Sequence, residues 1–189
     1  MKRSEVSRLL LEGDRRGLWA FTPSSFSALL RGVAPNYLKL MMKRLVDQGV
    51  LQRAAKGVYV NHLARSMPSD VRRGLIRFLR PREFSYVSLE TKLSEAGIIS
   101  QVAMALTCMT TGSPGTFRTP WGIIEFTHTE RRVDADRDVY LADEGTWEAT
   151  ISTAARDLRR VGRNVDMIVP ATLAEVVVEE QMHEQSSQP

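Results

Sequence analysis

From Pro35 to Val60 the chain reads PNYLKLMMKRLVDQGVLQRAAKGVYV, and this stretch constrains the fold more than any other. Leu38, Met41, Met42 and Leu45 fall at i, i+3, i+4 and i+7, the spacing of a helix with one face in a core. Asn36, Lys39, Lys43 and Arg44 lie off that stripe, so the opposite face is basic. Pro35 suits a first helical turn, where its missing N–H costs nothing, and Gly49 stands where a left-handed C-cap follows Gln48. Two short β-prone runs come next, Val50 to Arg53 and Gly57 to Val60, joined through Ala54, Ala55 and Lys56.

The residues before this stretch extend the pattern. Glu5 to Glu12 reads as a helix with Val6, Leu9, Leu10 and Leu11 turned inward, and Trp19-Ala20-Phe21 as a short strand able to pair with the later hairpin. Thr22-Pro23 supplies an N-cap and an N1 proline for a helix whose apolar stripe is Phe26, Leu29 and Leu30. Arg31-Gly32-Val33-Ala34 then has the length of a helix-turn-helix connection. This order of elements predicts a winged helix-turn-helix over residues 1–80, followed by a second, mixed α/β domain over 81–189, and an α+β chain as a whole. The alternatives are an ordinary amphipathic helix with solvated lysines and a winged helix that contacts protein instead of DNA.

Charge separates the same two halves. Residues 1–80 hold 16 Lys+Arg against 5 Asp+Glu, a net +11, whereas residues 81–189 hold 10 against 17, a net −7. A basic half carrying such a helix is what phosphate-backbone binding requires, because each cation that neutralises a phosphate releases counterions. Lys39, Lys43 and Arg44 are the expected phosphate contacts, Asn36 and Tyr37 near the helix N-terminus the expected readers of base edges, and Arg53 and Lys56 the grip of the wing. A further helix opened by Pro68-Ser69-Asp70 places Val71, Leu75, Ile76 and Leu79 inward and adds Arg72 and Arg73 as an extension of the DNA footprint.

The remaining chemistry is sparse. One cysteine, Cys108, excludes an internal disulfide, and no apolar run approaches membrane-spanning length, so the expected setting is cytoplasmic. His62, His128 and His183 have no partners at metal-ligand spacing, and neither a Walker loop nor a nucleophile elbow is present, so no catalytic residue, metal or cofactor is expected. Gly112-Ser113-Pro114-Gly115 reads as a hairpin turn, Val139 to Leu141 as a strand, and Trp147 to Val161 and Thr172 to Gln185 as helices. Asp134, Asp136 and Asp138 alternate, and on a strand they would share one face. A metal-dependent, nucleotide-handling enzyme would have to be built there, and a solvated loop is the simpler use.

Two regions together carry a family resemblance. One is the wing closing on Gly57-Val58-Tyr59-Val60. The other is Tyr86-Val87-Ser88-Leu89-Glu90-Thr91-Lys92-Leu93-Ser94-Glu95-Ala96-Gly97-Ile98-Ile99, followed by Leu106-Thr107-Cys108-Met109-Thr110-Thr111-Gly112 and Phe117-Arg118-Thr119-Pro120-Trp121-Gly122. In that order they resemble the AbiEi-like antitoxins of abortive-infection, type IV toxin-antitoxin systems, over roughly residues Phe21 to Phe126. Ala154 to Asn164 resembles more loosely the later alanine-rich helix of that family with its aspartate. The resemblance implies an autorepressor, not an enzyme, that binds inverted repeats in its own promoter as double-stranded DNA. It also implies a phage-defence antitoxin that counteracts a nucleotidyltransferase-like toxin, with direct contact and the oligomeric state, a dimer on DNA among the options, left open.

Overall fold

The computed structural model describes residues 3–30, 35–142 and 145–186. Among these residues seven α-helices and nine strands in two sheets make a mixed α+β protein. The chain divides into two compact units, Met1–Leu79 with Arg118–Trp121, and Arg80–Phe117 with Gly122–Pro189. No helix among the described residues is long and apolar enough to cross a membrane.

The first unit contains α1 (Arg3–Arg15), β1 (Ala20–Phe21), α2 (Pro23–Leu30), α3 (Pro35–Asp47), β2 (Gln52–Ala55), β3 (Val58–Val60) and α4 (Val71–Leu79). Local chemistry fixes the helix ends. At the start of α2, Thr22 Oγ1 accepts the Ser25 N–H at 3.3 Å while Ser25 Oγ accepts the Thr22 N–H at 2.9 Å, a reciprocal cap. Gly49 takes φ +68 after α3, so that the Val50 N–H reaches the Leu45 carbonyl at 2.8 Å and the Gly49 N–H reaches Val46 at 2.9 Å. Those two bonds are the Schellman closure, which the positive φ of a glycine permits without steric cost. The turn expected over Arg31-Gly32-Val33-Ala34 lies outside the described residues.

Leu38, Met41, Met42 and Leu45 are all buried, packed with Val6, Leu10, Phe21 and Phe26. Leu11, expected inward, is exposed, because one step past Leu10 rotates it off the Val6–Leu10 stripe. The expected pairing of the Trp19–Phe21 segment holds: β1 runs antiparallel to β3, Ala20 opposite Val60, in a sheet of order β1-β3-β2. The hairpin reverses later than expected. Ala54 and Ala55 belong to β2, Ala54 is buried, and the reversal falls on Lys56-Gly57 with Gly57 at φ +78. In α4, a Cβ on Gly74 would sit 2.6 Å from Trp19 Cζ2, so the glycine admits the indole, which is 3% exposed and edge-on to Phe78.

The second unit contains β4 (Ser85–Val87), α5 (Leu89–Glu95), β5 (Ala105–Thr110), the first three residues of β6 (Gly115–Thr119), β7 (Gly122–His128), β8 (Val139–Leu141), β9 (Trp147–Ala149), α6 (Ile151–Val161) and α7 (Pro170–Ser186). Its sheet has the order β6-β7-β5-β4-β9-β8. β5 is antiparallel to β4 and parallel to β7, and β4 is parallel to β9, so Cys108 sits fully buried between Val87 and Phe126. Leu89 and Leu93 of α5 and Ala154, Ala155 and Leu158 of α6 bury against Tyr86 and Met109, and Leu173, Val176 and Val177 of α7 pack on that core.

Two expectations fail here. Trp147–Ala149 is a strand, not the first turn of a helix, because Thr150 is extended and caps α6, its Oγ1 accepting the Thr153 N–H at 3.3 Å. Gly112-Ser113-Pro114-Gly115 is not a hairpin turn, since β7 lies between β5 and β6 and the hairpin proper reverses at Pro120-Trp121. Turn composition marks where a chain bends, not which strands become neighbours.

Candidate nucleic-acid interface

The burial of Leu38, Met41, Met42 and Leu45 determines which residues of α3 face outward. Tyr37, Lys39, Leu40, Lys43 and Arg44 are exposed, Tyr37 at 43% and Leu40 at 46%. Lys39 and Lys43 stand one turn apart, and none of the three cations has an acidic partner among the described residues. The Asn36 side chain lies outside the described residues, although its backbone belongs to the first turn of α3. On the hairpin, Arg53 and Lys56 are exposed, and Arg53 donates Nε to the Ala55 carbonyl at 3.3 Å, which holds its stem along β2.

Arg72 and Arg73, expected beside these cations, have a second engagement. Arg72 Nη2 and Arg73 Nη1 meet Asp70 Oδ2 at 3.1 and 2.9 Å, and Asp70 Oδ1 caps α4 by accepting the Arg72 N–H at 3.0 Å. Burial alone would raise the Asp70 pKa, but the Arg72 and Arg73 hydrogen bonds and charges lower it, so much of the positive charge at the head of α4 is neutralised locally. Leu40 is a further exposed residue of this face that no sequence motif marks. Its position off the Leu38–Leu45 stripe was the available signal, since an exposed leucine between cations can contact a thymine methyl or a protein surface.

The three aspartates do not share a strand face. Residues 135–138 form a turn ahead of β8, Asp134 and Asp136 are exposed, and Asp138 is buried. The reason is Asp138 itself, which collects Arg131 Nη2 and the Asp134 N–H at Oδ2 and Arg156 Nη2 at 2.8 Å on Oδ1. Burial would raise its pKa, yet these hydrogen bonds hold the carboxyl well below the usual carboxylate range. A carboxylate so engaged has little left to offer a cation.

Asp157, on α6 and 1% exposed, completes the network. Its Oδ2 accepts Tyr86 Oη at 3.0 Å and Ser88 Oγ at 2.9 Å, and its Oδ1 lies 3.9 Å from Arg131 Nη1. Here burial wins and the Asp157 pKa is raised, and burial followed by the Asp157 charge pushes the Tyr86 phenol up as well. The chain passes from β4 into α5 through Leu89 at φ +59, a left-handed conformation costing about 1–2 kcal/mol for a non-glycine residue. Complete burial of that leucine, about 1.5–3 kcal/mol, offsets the strain. The network is not legible in the sequence because its members come from three separate segments, around Tyr86, Arg131 to Asp138 and α6, and only the Arg131-Arg132 doublet signals it.

The sequence matches no protein-family model, and no curated protein is significantly similar to it.

Proposed function

We propose that the first unit is a winged helix-turn-helix that binds double-stranded DNA, with α3 as recognition helix and the β2–β3 hairpin as wing. The observation that carries this reading is the split of α3: one face locked in the core, the other presenting Lys39, Lys43 and Arg44 beside Tyr37 and Leu40 and without acidic partners among the described residues. Cations left unpaired on a rigid helix gain most from phosphates, whose condensed counterions they release. Arg53 and Lys56 then extend the contact to flanking phosphates or a minor groove, and Asn36 and Tyr37 read base edges at the helix N-terminus. Arg72 and Arg73, tied to Asp70, contribute less.

The wider reading is a non-enzymatic autorepressor of the AbiEi-like antitoxin type, occluding its own promoter and counteracting a nucleotidyltransferase-like toxin. It draws on the motif order from the Gly57-Val58-Tyr59 wing to the Thr110-Thr111-Gly112 segment and on the charge difference between the halves. A gel-shift titration on the gene's own upstream region against a scrambled duplex, at two salt concentrations, tests the DNA part. Selective binding supports a repressor, equal salt-sensitive binding reduces it to a general clamp, and no binding refutes it. Rescue of growth when the neighbouring reading frame is co-expressed tests the antitoxin part.

A further inference from the structure

A locally basic cavity lies in the acidic half of the chain. It measures about 620 Å³, and Arg131, Arg132, Arg137 and Arg156 line it with Asp134 and Asp138, a formal net charge of +2. Arg131 and Arg156 are fixed by Asp138; among the described residues Arg156 Nε has no hydrogen-bond acceptor, and Arg131 Nη1 has none closer than its ion-pair partner Asp157 Oδ1 at 3.9 Å. Arg132 and Arg137 are exposed and have no acidic partner among the described residues. Two arginines held by a buried carboxylate and two left open around a concavity form an anion receptor, because guanidinium forks match phosphate oxygens and only Arg132 and Arg137 remain to be ordered on binding. Among the described residues only Val133 and Ala135 supply apolar lining and no aromatic ring borders the cavity, so its chemistry favours a phosphate chain over a nucleobase.

We propose that this cavity binds a small phosphate-bearing ligand, recognised through its phosphate chain by Arg132 and Arg137 over the Arg131–Asp138–Arg156 base. The site is separate from the DNA-binding reading of α3 and stands or falls independently of it.

Isothermal titration calorimetry of the full chain with inorganic pyrophosphate, at fixed ionic strength and beside a sulfate control, tests it. Saturable binding that exceeds sulfate and weakens by about tenfold or more in R132A/R137A, with an unchanged melting temperature of the unliganded variant, is the expected result. ATP binding no tighter than pyrophosphate would identify the phosphate chain itself as the ligand, whereas tighter ATP binding would identify a nucleotide. Absence of binding at millimolar pyrophosphate, affinity equal to sulfate, or affinity untouched in R132A/R137A would overturn the proposal. So would a variant that lost affinity for duplex DNA when pyrophosphate bound neither protein.

Discussion

Lys39, Lys43 and Arg44 on α3 carry the same charge as Arg131 and Arg156 of the second unit, yet the surroundings differ in kind. The first three face solvent without acidic partners among the described residues, while the last two close on Asp138. Exposed, unpaired cations contribute little to folding and keep their full electrostatic reach, whereas arginines gathered on a buried carboxylate hold a fold and give up most of theirs. Summed charge over a half of the chain therefore misjudges both regions. The −7 of residues 81–189 conceals a cavity that is locally positive, and the +11 of residues 1–80 includes Arg72 and Arg73, whose charge Asp70 partly cancels.

The largest test of that contrast is Asp138→Ala. Removing the shared carboxylate leaves Arg131 without its main partner in a mostly buried site, and a loss of about 3 kcal/mol is expected in urea denaturation. A loss below about 1 kcal/mol would mean that water solvates these arginines as freely as those on α3. The converse is K39A/K43A/R44A. Its stability should stay within about 0.5 kcal/mol per site, while duplex affinity at low salt falls by about two orders of magnitude and the salt-dependence slope drops by roughly 2–3. If that variant unfolded the protein instead, the face of α3 would be structural.

Smaller effects sharpen the comparison. Gly74→Ala should cost about 1–3 kcal/mol in the first unit, since the added methyl meets both Trp19 and Pro68; calorimetric melting would show it, and no change would show that the indole shifts freely. The smallest effect concerns pH. Asp138 has a depressed pKa, so its stabilisation is present above the unfolded value of about 3.9 and is lost as pH falls toward the folded value. Asp157 is the opposite case: with a raised pKa its contribution is full below about 3.9 and is lost as pH rises through the folded value. Because Tyr86 and Ser88 both donate to the same Asp157 oxygen, an asparagine carbonyl can accept both. Asp157→Asn should therefore gain on the wild type, by about 1 kcal/mol or less, as pH rises from 4 toward neutrality. Urea midpoints across that range decide it, and a constant difference would contradict the raised pKa.

What was legible in the sequence was local. The Leu38–Leu45 stripe, the Thr22 cap, the Gly49 closure and the Trp19–Phe21 strand each follow from residues a few positions apart, and the structure shows each of them. What escaped was set by distant partners. Trp147–Ala149 has helix-compatible residues, and it becomes a strand through pairing with β4 and β8. The solvated loop expected at 134–138 holds for Asp134 and Asp136 but not for Asp138, because the arginine that holds it from α6, Arg156, lies far along the chain. On the candidate interface the basic residues were readable from periodicity, while Leu40 needed the burial of its neighbours to be seen.

Cys108 has a practical use that follows from its place at the centre of the second sheet. It is the one thiol in the chain and has no exposed surface, so a water-soluble thiol reagent reaches it only when β5 separates from its neighbours. The labelling rate of the native protein is thus a clock for the parting of β5 from β4 and β7. It reads that sheet at a native residue, with no substitution needed.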